Sequence, residues 1–265
     1  MNSETDIQVS ELISKTEKCT CADRIQLILP PENPSNLMLV GKIITTRNFL
    51  NSVVQDIITK AWKPHRSVLV KKVDRNLFLF TFEHEADLHL AFNRRPWTLR
   101  GVHLVLKTWK PELTWQEIDF FSSTFWVQIH GLPALWNDKE NLKRIGNKVR
   151  KVLEVDLAGD APLSWHKFTR IRIEIDISVP ITPGLFLPRP GLNDSWIALK
   201  YERLPDLCYN CGILGHDGRA CQSHKSLLSN QFGFKFPPFG EWLRMENDEF
   251  PPGIYEKTAG VQAKV

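Results

Sequence analysis

Arg75-Asn76-Leu77-Phe78-Leu79-Phe80-Thr81-Phe82 alternates two sets of side chains with a period of two. That period specifies a strand, because successive Cβ atoms of extended backbone point to opposite faces of a sheet. Phe78, Phe80 and Phe82 then share one face, and Leu77, Leu79 and Thr81 the other. The phenylalanines mark the core side. The turn-like Asp74-Arg75-Asn76 joins this strand to a preceding one over 67–73.

Working outward, 37–44 is apolar and β-prone, and Asn48 is placed to cap a helix with Leu50, Val53, Val54, Ile57 and Ala61 on one face. Pro64 ends that helix. A second helix over 85–94 presents Leu88, Ala91 and Phe92, stops at Pro96, and leads into a strand over 102–108. The order β-α-β-β-α-β predicts an α+β, ferredoxin-like domain over 37–111, the plan that RNA-recognition motifs share. Those motifs stack bases on aromatic side chains of the outer sheet face. Here Leu77 and Leu79 fall on the stacking positions, so this face is expected to be covered by protein rather than by RNA.

A second, smaller α+β unit is expected over 112–204. It opens with a strand at 125–130 that ends in Gly131-Leu132-Pro133. An amphipathic helix over 138–152 follows, with Leu142, Ile145, Val149 and Val152 in one stripe. Its cations include Lys139, Lys143, Arg144, Lys148, Arg150 and Lys151. Lys143, Arg144, Lys148 and Lys151 are candidate phosphate contacts, and an ordinary solvated face is the alternative. Residues 168–178 alternate Ile171, Ile173, Ile175 and Ile177 inward with Arg170, Arg172, Glu174 and Asp176 outward. Residues 183–190 read as a loop, and 196–201 as another strand.

Beyond Leu204-Pro205-Asp206 stands Cys208-Tyr209-Asn210-Cys211-Gly212-Ile213-Leu214-Gly215-His216-Asp217-Gly218-Arg219-Ala220-Cys221. The spacing C-x2-C-x4-H-x4-C brings three thiolates and one imidazole to a single tetrahedral ion, and that donor set suits Zn²⁺ in a closed structural site. Cys208, Cys211, His216 and Cys221 are the ligands; His224 is a competitor that the spacing disfavours. Gly212 and Gly215 permit the tight turns around them. So short a loop has almost no core of its own, so metal binding supplies its folding energy. The knuckle region is taken as 205–224, and 225–265 as an irregular tail rich in Pro and aromatic residues.

This motif resembles the CCHC zinc knuckle of retroviral nucleocapsids and many RNA-binding proteins. In that family the apolar residues after the first Cys and after the Gly form a cleft for an unpaired base. The resemblance therefore assigns Tyr209 and Ile213 to base contact, with Arg219 as the neighbouring cation. Leu214, where many retroviral knuckles carry Lys or Arg, and Asp217 depart from the pattern. A wider resemblance rests on Pro96-Trp97, Trp109, Trp126-Val127-Gln128-Ile129-His130-Gly131-Leu132-Pro133, Val155-Asp156, Arg170-Ile171-Arg172-Ile173 and Tyr201-Glu202-Arg203-Leu204-Pro205. Together they resemble a plant domain of unknown function that precedes a CCHC knuckle in proteins derived from LINE-type retrotransposons. The resemblance implies a nucleic-acid-binding role.

Composition narrows the function classes. With 42% hydrophobic residues in 265, the chain can bury one or two cores, and its net charge of +4 requires that nucleic-acid affinity come from local clustering. No apolar run approaches the ~18 residues of a membrane span. Five cysteines, three at metal spacing, fit a reducing, intracellular compartment, nuclear or cytoplasmic. Cys19 and Cys21 lie in a polar arm over 1–36 and read as incidental thiols, or else as a second weak metal site. His84 and His89 are five apart, which turns them ~140° from a shared zinc on a helix. Asp156, Asp160 and Asp176 lack the spacing of a convergent two-metal site. The expectation is therefore a non-enzymatic, Zn²⁺-dependent protein that binds single-stranded RNA or DNA. The rival is a protein-interaction module with a purely structural knuckle, including self-association.

Overall fold

Phe78, Phe80 and Phe82 of strand β3 (Leu77–Phe82) are buried together, as their alternation requires. Strands β1 (Met38–Ile44) and β2 (Val68–Asp74) flank β3, and β1 also pairs with β5 (Val102–Thr108). Strand β4 (Trp97–Leu99) closes the edge, giving an antiparallel sheet of order β2-β3-β1-β5-β4. Helices α1 (Asn51–Trp62) and α2 (Glu85–Asn93) supply the two crossovers, so the ferredoxin-like strand order is present with one added edge strand. The computed structural model describes residues 37–157 and 167–255, all within the compact unit Ser35–Val265. The arm over 1–36, Cys19, Cys21 and Asp160 lie outside the described residues.

Three local expectations for this sheet are corrected. Asn48 does not cap α1: its side chain accepts from Lys72 Nζ at 2.9 Å, and the N-cap position is Leu50, which has no side-chain cap. The buried Asn76 side chain holds this junction extended by accepting from Phe49 N at 3.0 Å and donating to Arg47 O at 2.7 Å. The buried stripe of α1 is Val54, Ile58 and Trp62, with Leu50 and Ala61 exposed. Trp62 decides this, because its ring packs 5.1 Å from Phe80 and 5.8 Å from Phe82 and so takes the largest apolar surface inward. Strand β4 was not anticipated. It returns through Arg100 and Gly101, both at positive φ, the conformation a two-residue hairpin needs.

The second sheet comprises β6 (Ser122–His130), β7 (Lys151–Asp156), β8 (Phe168–Asp176), β9 (Gly184–Arg189) and β10 (Leu192–Tyr201), in the order β7-β8-β6-β10-β9. Position for position this repeats the first sheet: the opening strand is central, a hairpin lies to one side, and the last strand and its edge partner lie to the other. Helix α3 (Lys139–Val149) provides the first crossover, capped by Asp138, whose carboxylate accepts from the backbone of Glu140 and Asn141. Gly146 lets α3 approach closely, since a Cβ there would meet Val152 and Ile171. The expected helix over 138–152 therefore ends early. Arg150 turns extended, and Lys151 and Val152 join β7 opposite Glu174 and Ile173. The expected loop over 183–190 contains β9, which pairs with β10.

No helix joins β8 to β9, where the first sheet has α2 between β3 and β4. The core on that side is completed by other parts of the chain. Val105 from the outer face of the first sheet joins the cluster of Phe125, Ile173 and Tyr201, and so do Leu207, Leu214, Phe239 and Leu243 from the knuckle region and tail. His103, beside Val105 on that outer face, stacks on Phe125 at 5.2 Å and meets Ser123 Oγ at 2.8 Å. On the same outer face Leu77 is 0% exposed and Leu79 half-buried, which agrees with a face covered by protein. The tail docks too. Phe236 and Ile254 pack with Trp196, and Lys200 Nζ donates to the carbonyls of Asn247 and Glu249. Among the described residues no helix is long and apolar enough to cross a membrane.

Candidate metal centre

Cys208 and Cys211 enter the centre from a tight hairpin whose arms meet at an antiparallel bridge between Leu207 and Leu214. Within it Cys208 N donates to Ile213 O at 3.0 Å and Gly212 N to Cys208 O at 2.7 Å. Gly212 has φ +76, and a Cβ there would collide with the Phe239 ring, so both backbone and packing demand glycine. On the other arm, Asp217 accepts from Arg219 N at 2.9 Å and Ala220 N at 3.0 Å. That turn carries Cys221 back to the first pair. The donor atoms of Cys208, Cys211, His216 and Cys221 all lie within 4.8 Å of one another. Thiolates on a tetrahedral zinc with bonds of ~2.3 Å stand about 3.8 Å apart, so the set fits the ion without rearranging the chain. His224 is not part of the cluster.

The cysteines sit in unlike surroundings. Burial, followed by the neighbouring Cys208 and Cys221, pushes the Cys211 thiol up to about 11, whereas the His216 side chain brings Cys221 down to about 7. Cys208 and Cys211 are buried, and His216 and Cys221 half-buried. With four protein donors the centre is closed, and its chemistry is that of a structural clasp.

The two departures from the retroviral pattern have structural reasons. Leu214 is buried in the second core, where a Lys or Arg would place an unpaired charge, and Asp217 closes the turn that delivers Cys221. Of the expected base contacts, Ile213 is half-buried. Tyr209 is half-buried against the second core, with its hydroxyl donating to Glu241 Oε1 at 2.6 Å. Arg244 lies beneath it, donating to Leu204 O at 2.5 Å and pairing with Glu241 at 3.2 Å. This link between tail and knuckle was missed. The docking of Glu241 and Arg244 on the knuckle side carries no local signal, since Tyr209 and Leu204 lie more than thirty residues away.

The Arg219 side chain is exposed. The helix cations do not form one row. Lys143 borders a groove with Lys139, Asn147 and β7, whereas Arg144 and Lys148 border another with Trp136, Leu185 and Phe186. Lys151 is exposed on β7. Arg144 also makes a surface pair with Glu140 at 3.4 Å.

Residues 35–117 match the family described as "Domain of unknown function (DUF4283)", and residues 176–223 match the family described as "Zinc knuckle". An uncharacterized protein of Arabidopsis thaliana (At4g02000) is 26% identical over 135 residues, covering 51% of this chain and 42% of its own length. The chain thus spans less than half of that relative. Among solved structures, the first two RRM domains of yeast poly(U)-binding protein (Pub1) align with 51% of this chain and 81% of theirs. The identity is 10% and the TM-score 0.21, which carries no argument about fold or ligand. The strand order and the donor cluster stand on this structure alone. The chain carries a DUF4283 domain followed by a CCHC zinc knuckle.

Proposed function

We propose that the protein binds single-stranded nucleic acid, RNA in the first instance, without catalysing a reaction, and that it derives from a LINE-type retrotransposon. The observation that carries this reading is the closed knuckle, whose four protein donors leave no position for a reacting water. Asp156 and Asp176, the described members of the acidic set that a nuclease site would need, do not converge. Asp156 pairs with Arg170 at 2.6 Å near one end of β8, and Asp176 pairs with Arg150 at 3.2 Å at the other. Six residues of strand separate the two ends by about 20 Å. His89 makes only a surface pair with Glu85 at 3.2 Å. The thiolate ligands belong in a reducing, intracellular compartment.

A protein-interaction module is the second reading. It is favoured by one observation: Tyr209 and Leu214 are turned onto the core and tail, which leaves the knuckle less apolar surface for a base. Fluorescence anisotropy of a labelled 12-nucleotide RNA across a salt series separates the two. Each phosphate neutralised on a single strand contributes about 0.7 to the slope of log affinity against log salt. Binding with a slope near −2 or steeper supports nucleic-acid recognition. No salt-dependent binding would favour the interaction module. Arg144→Gln with Lys148→Gln should flatten the slope by about 1.4 if that flank of α3 tracks the strand, and Lys139→Gln with Lys143→Gln tests the other flank separately.

A further inference from the structure

The turn after α2 meets the outer face of the second sheet at a cleft of about 270 Å³. Arg94, Arg95, Trp126, Arg170, Glu202 and Arg203 line it, so four guanidinium groups face a single carboxylate. Their anchoring is unusual for surface arginines. Arg95 donates to Phe92 O at 2.5 Å and Leu106 O at 3.2 Å and lies 3.5 Å over the Phe92 ring. Arg203 donates to Arg94 O at 3.0 Å and lies 5.4 Å over Trp97. Arg172, just behind, donates to Asn93 O at 2.9 Å. Arg170 and Arg172 both stack on Trp126, at 4.7 and 5.9 Å.

Carbonyls and ring faces therefore fix several of these groups, and carboxylates neutralise only some. Arg170 pairs with Asp156 and Glu202, and Arg172 with Glu154. Arg94, Arg95 and Arg203 form no ion pair among the described residues. Burial and the neighbouring Arg172 push the Arg95 guanidinium down to about 10, and the opposing pull of Glu174 does not offset them. Guanidinium forks held in place match the oxygens of a phosphate group and lose little freedom on binding it.

We infer that this cleft is a second nucleic-acid site, which grips one backbone phosphate of a single strand through Arg94, Arg95 and Arg203. It reads no base, because the Trp126 face is already taken by Arg170 and Arg172. The inference rests on the nucleic-acid-binding reading, which places such a strand on the same chain as the knuckle. It adds a sequence-independent anchor built from residues outside the knuckle.

The test uses the full chain with zinc bound, the labelled 12-nucleotide RNA, and an abasic deoxyribose-phosphate strand of the same length. Arg94 and Arg203 are exposed, so Arg94→Gln with Arg203→Gln should lose only the Arg203 contacts with Arg94 O and Trp97 and melt close to the native chain. Losing the grip on that one phosphate should leave a salt slope flatter by about 0.7 on both strands. Arg94→Lys with Arg203→Lys should restore most of the slope and not all of the affinity, because a point charge replaces a fork. Native binding with an unchanged slope in the Gln variant overturns the cleft and leaves the knuckle reading standing. Absence of salt-dependent binding by the native chain overturns both. Tighter binding of a polyglutamate peptide than of RNA, lost in the Gln variant, makes the cleft a dock for acidic protein and overturns the inference.

Discussion

Removing the metal should loosen far more of this protein than the loop that holds it. Leu207 and Leu214, on the two arms of the knuckle hairpin, are 6% and 4% exposed and belong to the core of the second sheet. Burying a leucine is worth about 1.5–3 kcal/mol, so displacing both arms forfeits about 3–6 kcal/mol. That is a large part of the ~5–15 kcal/mol that stabilises a typical domain. Phe239 loses its cover at Gly212, Ile181 loses the carbonyl of Gly212 that accepts its N–H at 2.9 Å, and Ile44 loses its contact at Gly215. In calorimetry with and without a chelator, the melting temperature should fall by roughly 6–24 °C. In ¹H–¹⁵N spectra, amide signals of Ile44, Ile181, Phe239 and Leu243 should move together with those of 208–221. Changes confined to 208–221 with an unaltered melting temperature would refute the reasoning and show a self-contained knuckle.

Leu77→Ala, at a fully buried site on the sheet face that an RNA-recognition motif would leave open, should cost about 2–5 kcal/mol in denaturant unfolding and leave RNA affinity intact, and the half-buried Leu79 should cost less. A severalfold loss of RNA binding at unchanged stability would make that face the binding surface. Asp87 is held down to about 2, first by the backbone N–H of His65, then by its ring and by Arg66 N. Its folded value lies below the unfolded ~3.9, so its contribution is complete above about pH 4 and fades as pH falls toward 2. Melting curves of Asp87→Asn should therefore converge with the native chain in acid, and a constant gap would count against the assignment. His103 is brought down to about 4 by burial between the two sheets, which leaves it neutral where an unfolded histidine, at ~6.5, already takes a proton. Stability should then fall from pH 6.5 toward 4 by up to about 3 kcal/mol, and an NMR titration placing His103 near 6.5 would contradict this.

The parts legible in the chain are those whose information is local. The alternation of Leu77 to Phe82 fixes which side chains face the core, because side-chain direction along a strand has a period of two whatever lies nearby. The ligand spacing from Cys208 to Cys221 likewise names all four donors, since so short a loop can present them to one ion in few ways. The isoleucine face of β8 is of the same kind. Val152 fitted the helical stripe as well as it fits a strand, and only pairing with Ile173 settles it as β7. Strand β9 resembled a loop until β10 supplied its partner. The missing second helix of the second unit had no signal, because its place in the core is taken by Val105, Leu214 and Phe239 from distant parts of the chain. The arginine cleft was visible only as scattered Arg and Trp residues. Its positive potential depends on which carboxylates end up beside which guanidinium groups, and that is a property of tertiary distance rather than of order along the chain.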